Sequence, residues 1–554
     1  MHRLTRMNPI ASLALSLSIA GGGCGGSPVL FEKGPVVTRV HDNADIPEPA
    51  AVEFYFISNH IRAFYPRQLR LRLDPVSPAP AEDVNRLGEV PSSSWYENRV
   101  ADLSPAAVAR GPGGDDPGPE AFKPWTVISW KTGGMNPGFV FRDTRGVGYI
   151  CKFDQAGAPV VSTAAGAVAA RLMWACGYHV PDDRVVFFRR DDLQLSEELL
   201  AAAAAGEPDA VTQERIDSIL QELVARRANG DYRALVSRFL PGKPVGGFSY
   251  AGTRQDDPND LVPHQNRRSL RGLRVFAAWL NHVDLKPDNA LDIYVEKNGR
   301  RYLEHYFVDF DACLGGFWAG RREQRIGYAY DVDLAEITTG LLSVGLVKRP
   351  YEDFKAEPHP YIGLFEAEVY DPAHWVANYP NDQVLSCNPA DTYWAATVLA
   401  RITRKHIAAA VAAARFEDAE ADSLLAAVLR DRWAKTVRWG LTRVTPVTDL
   451  DRITSAATGL TIAAVNTLTR FGLASRLAYR FVLLDEAGKK IWEVEAAREN
   501  PAVTIPAAAL AGHDYVVSRW IAQDDRGRAL PPTEAHYLRD DAQWILVGIL
   551  RDGQ

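Results

Sequence analysis

The sequence predicts an α+β fold in which a region of mixed strands and helices precedes a small all-β domain. Three runs rich in β-branched and aromatic residues, WTVISW, FVFRD and VGYICKF, are separated by turn-forming residues, a pattern typical of an antiparallel meander. Two later segments have apolar residues spaced three and four positions apart, which predicts helices: TYWAATVLARITRKHIAAAVAAARF and SLLAAVLRDRWAKTVRWGLTRV. From about Thr445 onward, six short strand candidates follow at fairly regular spacing. These observations predict a β-sandwich at residues 445–554.

Length and charge restrict the function classes. A chain of 554 residues can hold two or three domains. Its net charge of −7 argues against nucleic acid as a partner. Apart from Cys24, the cysteines and the scattered histidines form no C-x-x-C or H-E-x-x-H pattern, which argues against a structural zinc. Whether any two cysteines are bridged cannot be read from their spacing.

The first 24 residues have the layout of a secretory signal peptide. Arg3 and Arg6 precede a short apolar run, 10–20, and small residues then lead to Cys24. The apolar run is too short to span a bilayer. Cys24 follows three glycines, and the segment resembles a lipobox, although Gly21 stands where Leu or a similar residue is usual. We therefore expect an exported lipoprotein, periplasmic or at the cell surface, attached to the membrane only through a lipid on Cys24.

Residues 25–124 are predicted to form an extended arm. They are rich in Pro, Gly, Ser and charge, a composition that cannot bury much core of its own. Between the most linker-like pieces, aromatic and aliphatic residues are frequent enough to pack on another surface. We expect the arm to wrap on the domain that follows it.

The chemistry of the chain concentrates in HVDLKPDN, residues 282–289, and in the Asp that follows the next apolar strand, Asp309. Phosphoryl transfer needs a carboxylate to orient the attacking hydroxyl, a cation beside the moving phosphoryl group, and an Asn and an Asp to hold Mg²⁺. Asp284, Lys286, Asn289 and Asp309 are residues of these types.

This stretch resembles the catalytic loop of the protein kinase superfamily, H-R-D-L-K-P-x-N, at every specified position except that Val283 replaces Arg. The resemblance implies a two-lobed kinase-like domain at about 125–444 that uses ATP and Mg²⁺. In it, Asp284 would orient the acceptor hydroxyl, Lys286 would neutralise phosphate charge, and Asn289 with Asp309 would bind the metal. The likeness is closer to atypical or secreted kinase-like proteins, because no A-P-E motif follows.

The resemblance also assigns a nucleotide-binding loop and lysine. TGGMNPG, residues 132–138, takes the place of the glycine-rich phosphate loop, with Gly133, Gly134 and Gly138 as its glycines, although it departs from G-x-G-x-x-G. Glycines let backbone N–H groups approach an anion, but an ordinary β-turn explains the same residues. Lys152, at the end of the third strand, takes the place of the lysine that pairs with nucleotide phosphates.

The following helix departs from the family. Residues 161–178 are predicted to be helical and match the kinase helix whose Glu pairs with the strand lysine, yet no acidic residue occurs from 155 to 181. A carboxylate from the next segment, such as Glu197 or Glu198, is a conjectural substitute. That segment, 191–229, is predicted to be an inserted helical hairpin.

The carboxy-terminal strands suggest a sandwich of immunoglobulin or fibronectin type without a bridging disulfide, since no Cys lies there. Three functions stay open for the whole chain. The first is an exported kinase acting on a protein or small-molecule acceptor. The second is a catalytically inactive kinase-like lipoprotein that binds a partner. The third is a metal-dependent glycosyltransferase that uses Asp309 and Asp311.

Overall fold

The computed structural model describes residues 29–53, 66–74, 76, 78–131, 136–207, 210–317, 320–321, 323–353, 359–498, 500–541 and 543–551. Helices α1 to α14 span Pro66–Leu73, Pro105–Arg110, Val161–Ala175, Glu197–Ala204, Gln213–Glu222, Arg268–Arg271, Leu273–Leu280, Leu334–Leu342, Asp382–Leu385, Pro389–Ala400, Arg404–Ala412, Ala419–Leu441, Thr467–Arg470 and Ala507–Leu510.

Strands β1 to β21 span Trp125–Trp130, Gly138–Arg142, Gly148–Lys152, Asp183–Phe188, Leu193–Leu195, Tyr232–Arg238, Lys243–Pro244, Ala290–Lys297, Arg300–Phe307, Gly316–Phe317, Gly320–Arg321, Val447–Thr448, Ile453–Ala456, Gly459–Ile462, Val465–Asn466, Ala478–Asp485, Lys490–Ala496, Val503–Pro506, Tyr515–Gln523, Thr533–Asp540 and Gln543–Leu550. The strands form several separate sheets, and helices account for much of the rest of the described chain. A mixed helix-and-strand architecture is therefore confirmed.

The first sheet has six strands in the order β4-β6-β3-β2-β1-β5. All its pairs are antiparallel except β1 with β5, which run parallel. The three predicted strands of the meander are its β1, β2 and β3. One face buries an aromatic cluster in which the rings of Trp125 and Phe141 stack with centroids 4.3 Å apart. Burial of these large rings favours the sheet, because each removes much apolar area from water.

The segment after the fourth strand contains the two predicted helices, α4 and α5, and one unpredicted strand, β5. Ile216 and Leu220 of α5 are buried in the same cluster as Trp125. The insertion therefore extends the first sheet by a strand and covers one of its faces.

Two helices are buried on nearly every side. α3 is rich in Ala and has buried residues along its length, and α7 is buried at all positions but one. α12 packs against α7 and α10. The chain leaves α7 through Asn281, whose φ of 51° is left-handed and turns the backbone into 282–289. Within the described residues, no helix is long and apolar enough to cross a membrane.

The described part of the amino-terminal arm contacts several later elements. The backbone N–H of Phe31 donates to the hydroxyl of Tyr515 at 2.9 Å, and that of Ile46 donates to the carbonyl of Arg301 at 2.8 Å. Trp95 is 2% exposed, and its ring stacks on His305 at 3.5 Å. These contacts hold the arm by backbone hydrogen bonds and a few buried rings.

After residue 445 the chain forms a five-stranded antiparallel sheet, β17-β16-β19-β20-β21, and a three-stranded sheet, β13-β14-β18. Phe481 and Trp520 of the larger sheet share one buried cluster with Leu460 and Ile505 of the smaller sheet. The sequence prediction omitted β20, whose residues TEAHYLRD mix charged and apolar types. It is a strand because both neighbouring strands pair with it.

Candidate functional site

The loop at 282–289 places three of the predicted side chains in one hydrogen-bonded group. The amide of Asn289 donates to the carboxylate of Asp284 at 3.0 Å and to its backbone carbonyl at 2.9 Å. The ammonium of Lys286 lies 3.0 Å from the same carboxylate. Asp284 and Lys286 are each about one-fifth exposed or less, at 16% and 21%. The loop therefore presents a carboxylate and a cation at a partly solvated surface.

The hairpin of β8 and β9 brings Asp309 beside this loop. The backbone N–H of Val308 donates to the carbonyl of Asn289 at 3.0 Å. Strand β9 ends at Phe307, two residues before the strand end that the sequence predicted. Asp309 then adopts a left-handed φ of 67°, uncommon outside glycine. The ring of Phe310 packs on His282 at 5.3 Å, which ties Asp309 to the loop from its other side.

Lys152 connects the first sheet to this region. Its ammonium donates to a carboxylate oxygen of Asp309 and lies 3.3 Å from the carboxylate of Asp311. The lysine is 13% exposed, whereas Asp311 is 15% exposed and Asp309 is 33% exposed. A positive charge from the sheet thus lies between two carboxylates, of which Asp309 is the more exposed.

The pKa values of Lys152, Asp309 and Asp311 do not all shift in the same direction. Burial alone would raise the pKa of Asp309, but the Lys152 ammonium holds it well below its ordinary value. Burial and the neighbouring Asp309 carboxylate raise the pKa of Asp311 to about 7. Burial would lower the pKa of Lys152, but the two carboxylates raise it well above its usual range. The lysine therefore favours the ionised form of Asp309, which is the form of a carboxyl group that binds a metal.

The turn between β1 and β2 reaches the same place. The amide of Asn136 donates to Asp311 at 2.7 Å, and the ammonium of Lys131 donates to the carbonyl of Asn136 at 3.1 Å. Burial, followed by the nearby Lys152 charge, lowers the pKa of Lys131. Sequence reasoning missed Asn136, although it lies inside the predicted phosphate loop.

Gly138 is the first residue of β2 and pairs with Lys152. A Cβ atom at this position would lie 1.9 Å from the carbonyl oxygen of Cys151, so strand packing alone requires glycine. Gly133, Gly134 and Cys24 lie outside the described residues. The assignment of Gly138 to nucleotide binding stays a prediction.

The carboxylates that contact Lys152 differ from Glu197 and Glu198, which the sequence suggested. Glu197 and Glu198 lie exposed in the first turn of α4. Lys152 instead contacts Asp309 and Asp311. A Cβ atom on Gly166 of α3 would lie 3.7 Å from that of Asp311, so Asp311 packs beside this helix.

Asn289 and Asp309 fit a Mg²⁺ ion that takes most of its ligands from bound phosphates and from water. Among the described residues, no three or more His, Cys, Asp or Glu side chains cluster as a metal site. Asn289 turns its amide nitrogen to Asp284, which directs its oxygen away from that carboxylate. Mg²⁺ is commonly held by one or two protein oxygens together with phosphates and waters, and Asn289 with Asp309 supplies such a set.

Comparisons with known proteins return no relative. No protein-family model matches the chain, and no curated protein or solved structure does so either.

Proposed function

We propose that this protein is an exported kinase-like phosphotransferase that moves the γ-phosphoryl group of ATP to a hydroxyl acceptor. The proposal includes a two-lobed arrangement, with the first sheet as one lobe and the helices around α7 as the other. The observation that carries it is the contact of Lys152 with Asp309 beside the Asp284, Lys286 and Asn289 group. These are the residue types that phosphoryl transfer requires.

Each residue has a distinct role in this reaction. Asp284 accepts a hydrogen bond from the acceptor hydroxyl and orients the hydroxyl oxygen toward the γ-phosphorus. The ammonium of Lys286 lies 3.0 Å from the same carboxylate. Lys286 and Lys152 stabilise negative charge on the transferred group and on the nucleotide phosphates. Asn289 and Asp309 would hold Mg²⁺, which supplies charge neutralisation between phosphate oxygens when bound.

The contact between Lys152 and Asp311 bears on the catalytically inactive alternative. The absence of an acidic residue from α3 favours that alternative, because it removes the carboxylate that usually holds the lysine in the family that the sequence resembles. Asp311 supplies a carboxylate at 3.3 Å, and the amide of Asn136 donates to the same carboxylate at 2.7 Å. These contacts hold Lys152 in place, which favours an active kinase over an inactive one.

The same contact weighs against the glycosyltransferase alternative. In that reading Asp309 and Asp311 would jointly bind a metal–nucleotide complex. Lys152 contacts both carboxylates, so an ammonium group already provides the positive charge that a shared metal ion would bring to them.

Binding of Mg-ATP tests the proposal. A ligand that binds only the native state at 100 times its dissociation constant stabilises it by about 2.7 kcal/mol, so Mg-ATP should raise the Tm of the wild type. Lys152→Met and Asp309→Asn should abolish this rise. Lys490→Met is the matched control, because that lysine lies on the carboxy-terminal sheet and is 57% exposed. An unchanged wild-type Tm in saturating Mg-ATP would reject both an active kinase and a nucleotide-dependent binding protein.

A further inference from the structure

A cavity of about 690 Å³ is lined in part by residues 373–377 and 379–381. The segment 373–381 is hydrogen-bonded at two points to the loop that carries Asp284. The backbone N–H of Asn378 donates to the carbonyl of Val283 at 2.9 Å, and the amide of Asn381 donates to the carbonyl of Leu285 at 2.7 Å. The segment that forms this part of the wall is therefore held directly against the backbone of the loop.

The charged residues that the structure describes on the cavity wall are basic. Among the residues that the structure describes, its lining includes Arg274, Arg349 and Arg443 and no Asp or Glu. Within the described part of the chain, no carboxylate lies within 4.0 Å of the guanidinium nitrogens of Arg274 or Arg443. The histidine at its edge, His374, is already paired with Asp371 at 2.8 Å. The arginines thus leave positive charge facing the cavity, which favours an anionic ligand.

Aromatic rings make up much of the remaining wall. Four tyrosines and two tryptophans line the cavity, and Tyr330 and Trp439 among them are only partly buried. The guanidinium of Arg274 lies 4.8 Å from the ring centroid of Trp439. Such a wall offers flat faces, hydroxyls and cations side by side. The C–H face of a sugar ring stacks on an aromatic face, where the π electrons carry partial negative charge.

We propose that this cavity binds an acidic saccharide, a sugar ring that bears a carboxylate or phosphate. This inference rests on the proposed function for its consequence, since the saccharide would then be the part of the acceptor that docks next to the loop that carries Asp284. A peptide is the less favoured ligand because extended peptides gain affinity by pairing with an exposed strand edge. The described segments that line the cavity form turns and helices, and none contains a strand.

Direct binding to the full chain without nucleotide tests the site. The probe is trigalacturonate, measured by calorimetry against its methyl ester, which has the same rings without the charge. We expect the wild type to bind the acid at least tenfold more tightly than the ester, and Arg443→Ser to lose at least tenfold in affinity. Arg443 is exposed, so its replacement should leave folding intact. Arg430→Ser is the control, because this exposed arginine lies on α12 outside the cavity.

Three results would overturn the inference: equal affinity of the wild type and Arg443→Ser, no wild-type binding of the acid at millimolar concentration, or tighter binding of hexaglutamate than of trigalacturonate. Failure of the proposed function is distinguishable. Saccharide binding that depends on Arg443, without any Mg-ATP response in Tm, rejects the kinase while supporting the cavity as a saccharide site. A Mg-ATP response without saccharide binding rejects the cavity and leaves the kinase.

Discussion

Replacement of Asp284 by Asn separates catalysis from nucleotide binding. The carboxylate accepts from Asn289 at 3.0 Å and lies 3.0 Å from Lys286. Asn has nearly the same shape, and the second hydrogen bond of Asn289, to the backbone carbonyl of Asp284 at 2.9 Å, does not depend on the side chain. The variant should therefore keep Asn289 and the metal-binding side of the loop in place. Only the group that orients the acceptor hydroxyl is removed.

The expected loss follows from that single role. A positioned acid or base commonly contributes about 10²- to 10⁴-fold to a rate. This range corresponds to about 2.7 to 5.4 kcal/mol in activation free energy. Because Asp284 is only 16% exposed, bulk water cannot readily replace its carboxylate. We expect kcat to fall within this range while the rise of Tm with Mg-ATP stays close to that of the wild type.

The assay is transfer of radiolabel from ATP to the protein itself and to trigalacturonate. Asp288→Asn is the control, because Asp288 is an exposed carboxylate of the same loop with no assigned catalytic role. Wild-type transfer by Asp284→Asn would refute the assignment of residues 282–289 as a catalytic loop. Mg-ATP binding without any transfer by the wild type would favour the inactive kinase-like reading.

Three further predictions concern pH, packing and location. Burial raises the pKa of Asp183 to about 7, above the 3.8 of an ordinary Asp. Between these two pH values the native state retains a proton that the unfolded chain has lost. The stability of the protein should therefore fall as pH rises from about 4 to 7. Asp183→Asn should flatten the dependence of Tm on pH across this window, and an unchanged slope would reject the shift. Gly138→Ala should lower Tm by several degrees, because its Cβ would meet the carbonyl of Cys151 at 1.9 Å, and a wild-type Tm would contradict the strand geometry. Cys24→Ser should move the protein from the membrane to the soluble exported fraction, and equal fractionation of both forms would reject the lipid anchor.

The sequence alone identified the local elements because their signals are short-range. Alternating β-branched and aromatic residues located β1 to β3, and apolar spacing of three and four located α10 to α12. It also identified Asp284, Lys286 and Asn289 as one group, since a loop of eight residues must hold them close together. The charged strand β20 escaped prediction because pairing on both sides, not its own composition, makes it a strand.

Only the tertiary structure could decide which carboxylates surround Lys152. Asp309 and Asp311 lie 157 and 159 positions further along the chain, and neither periodicity nor composition reports contacts over such separations. The sequence offered Glu197 and Glu198 because they are close in the chain, but the sheet and the left-handed turn at Asp309 bring Asp311 to the lysine instead. The cavity lined by Arg274 and Arg443 has the same origin, since folding alone brings these arginines to one surface. Local residue patterns determined the elements, and long-range packing determined which charges meet.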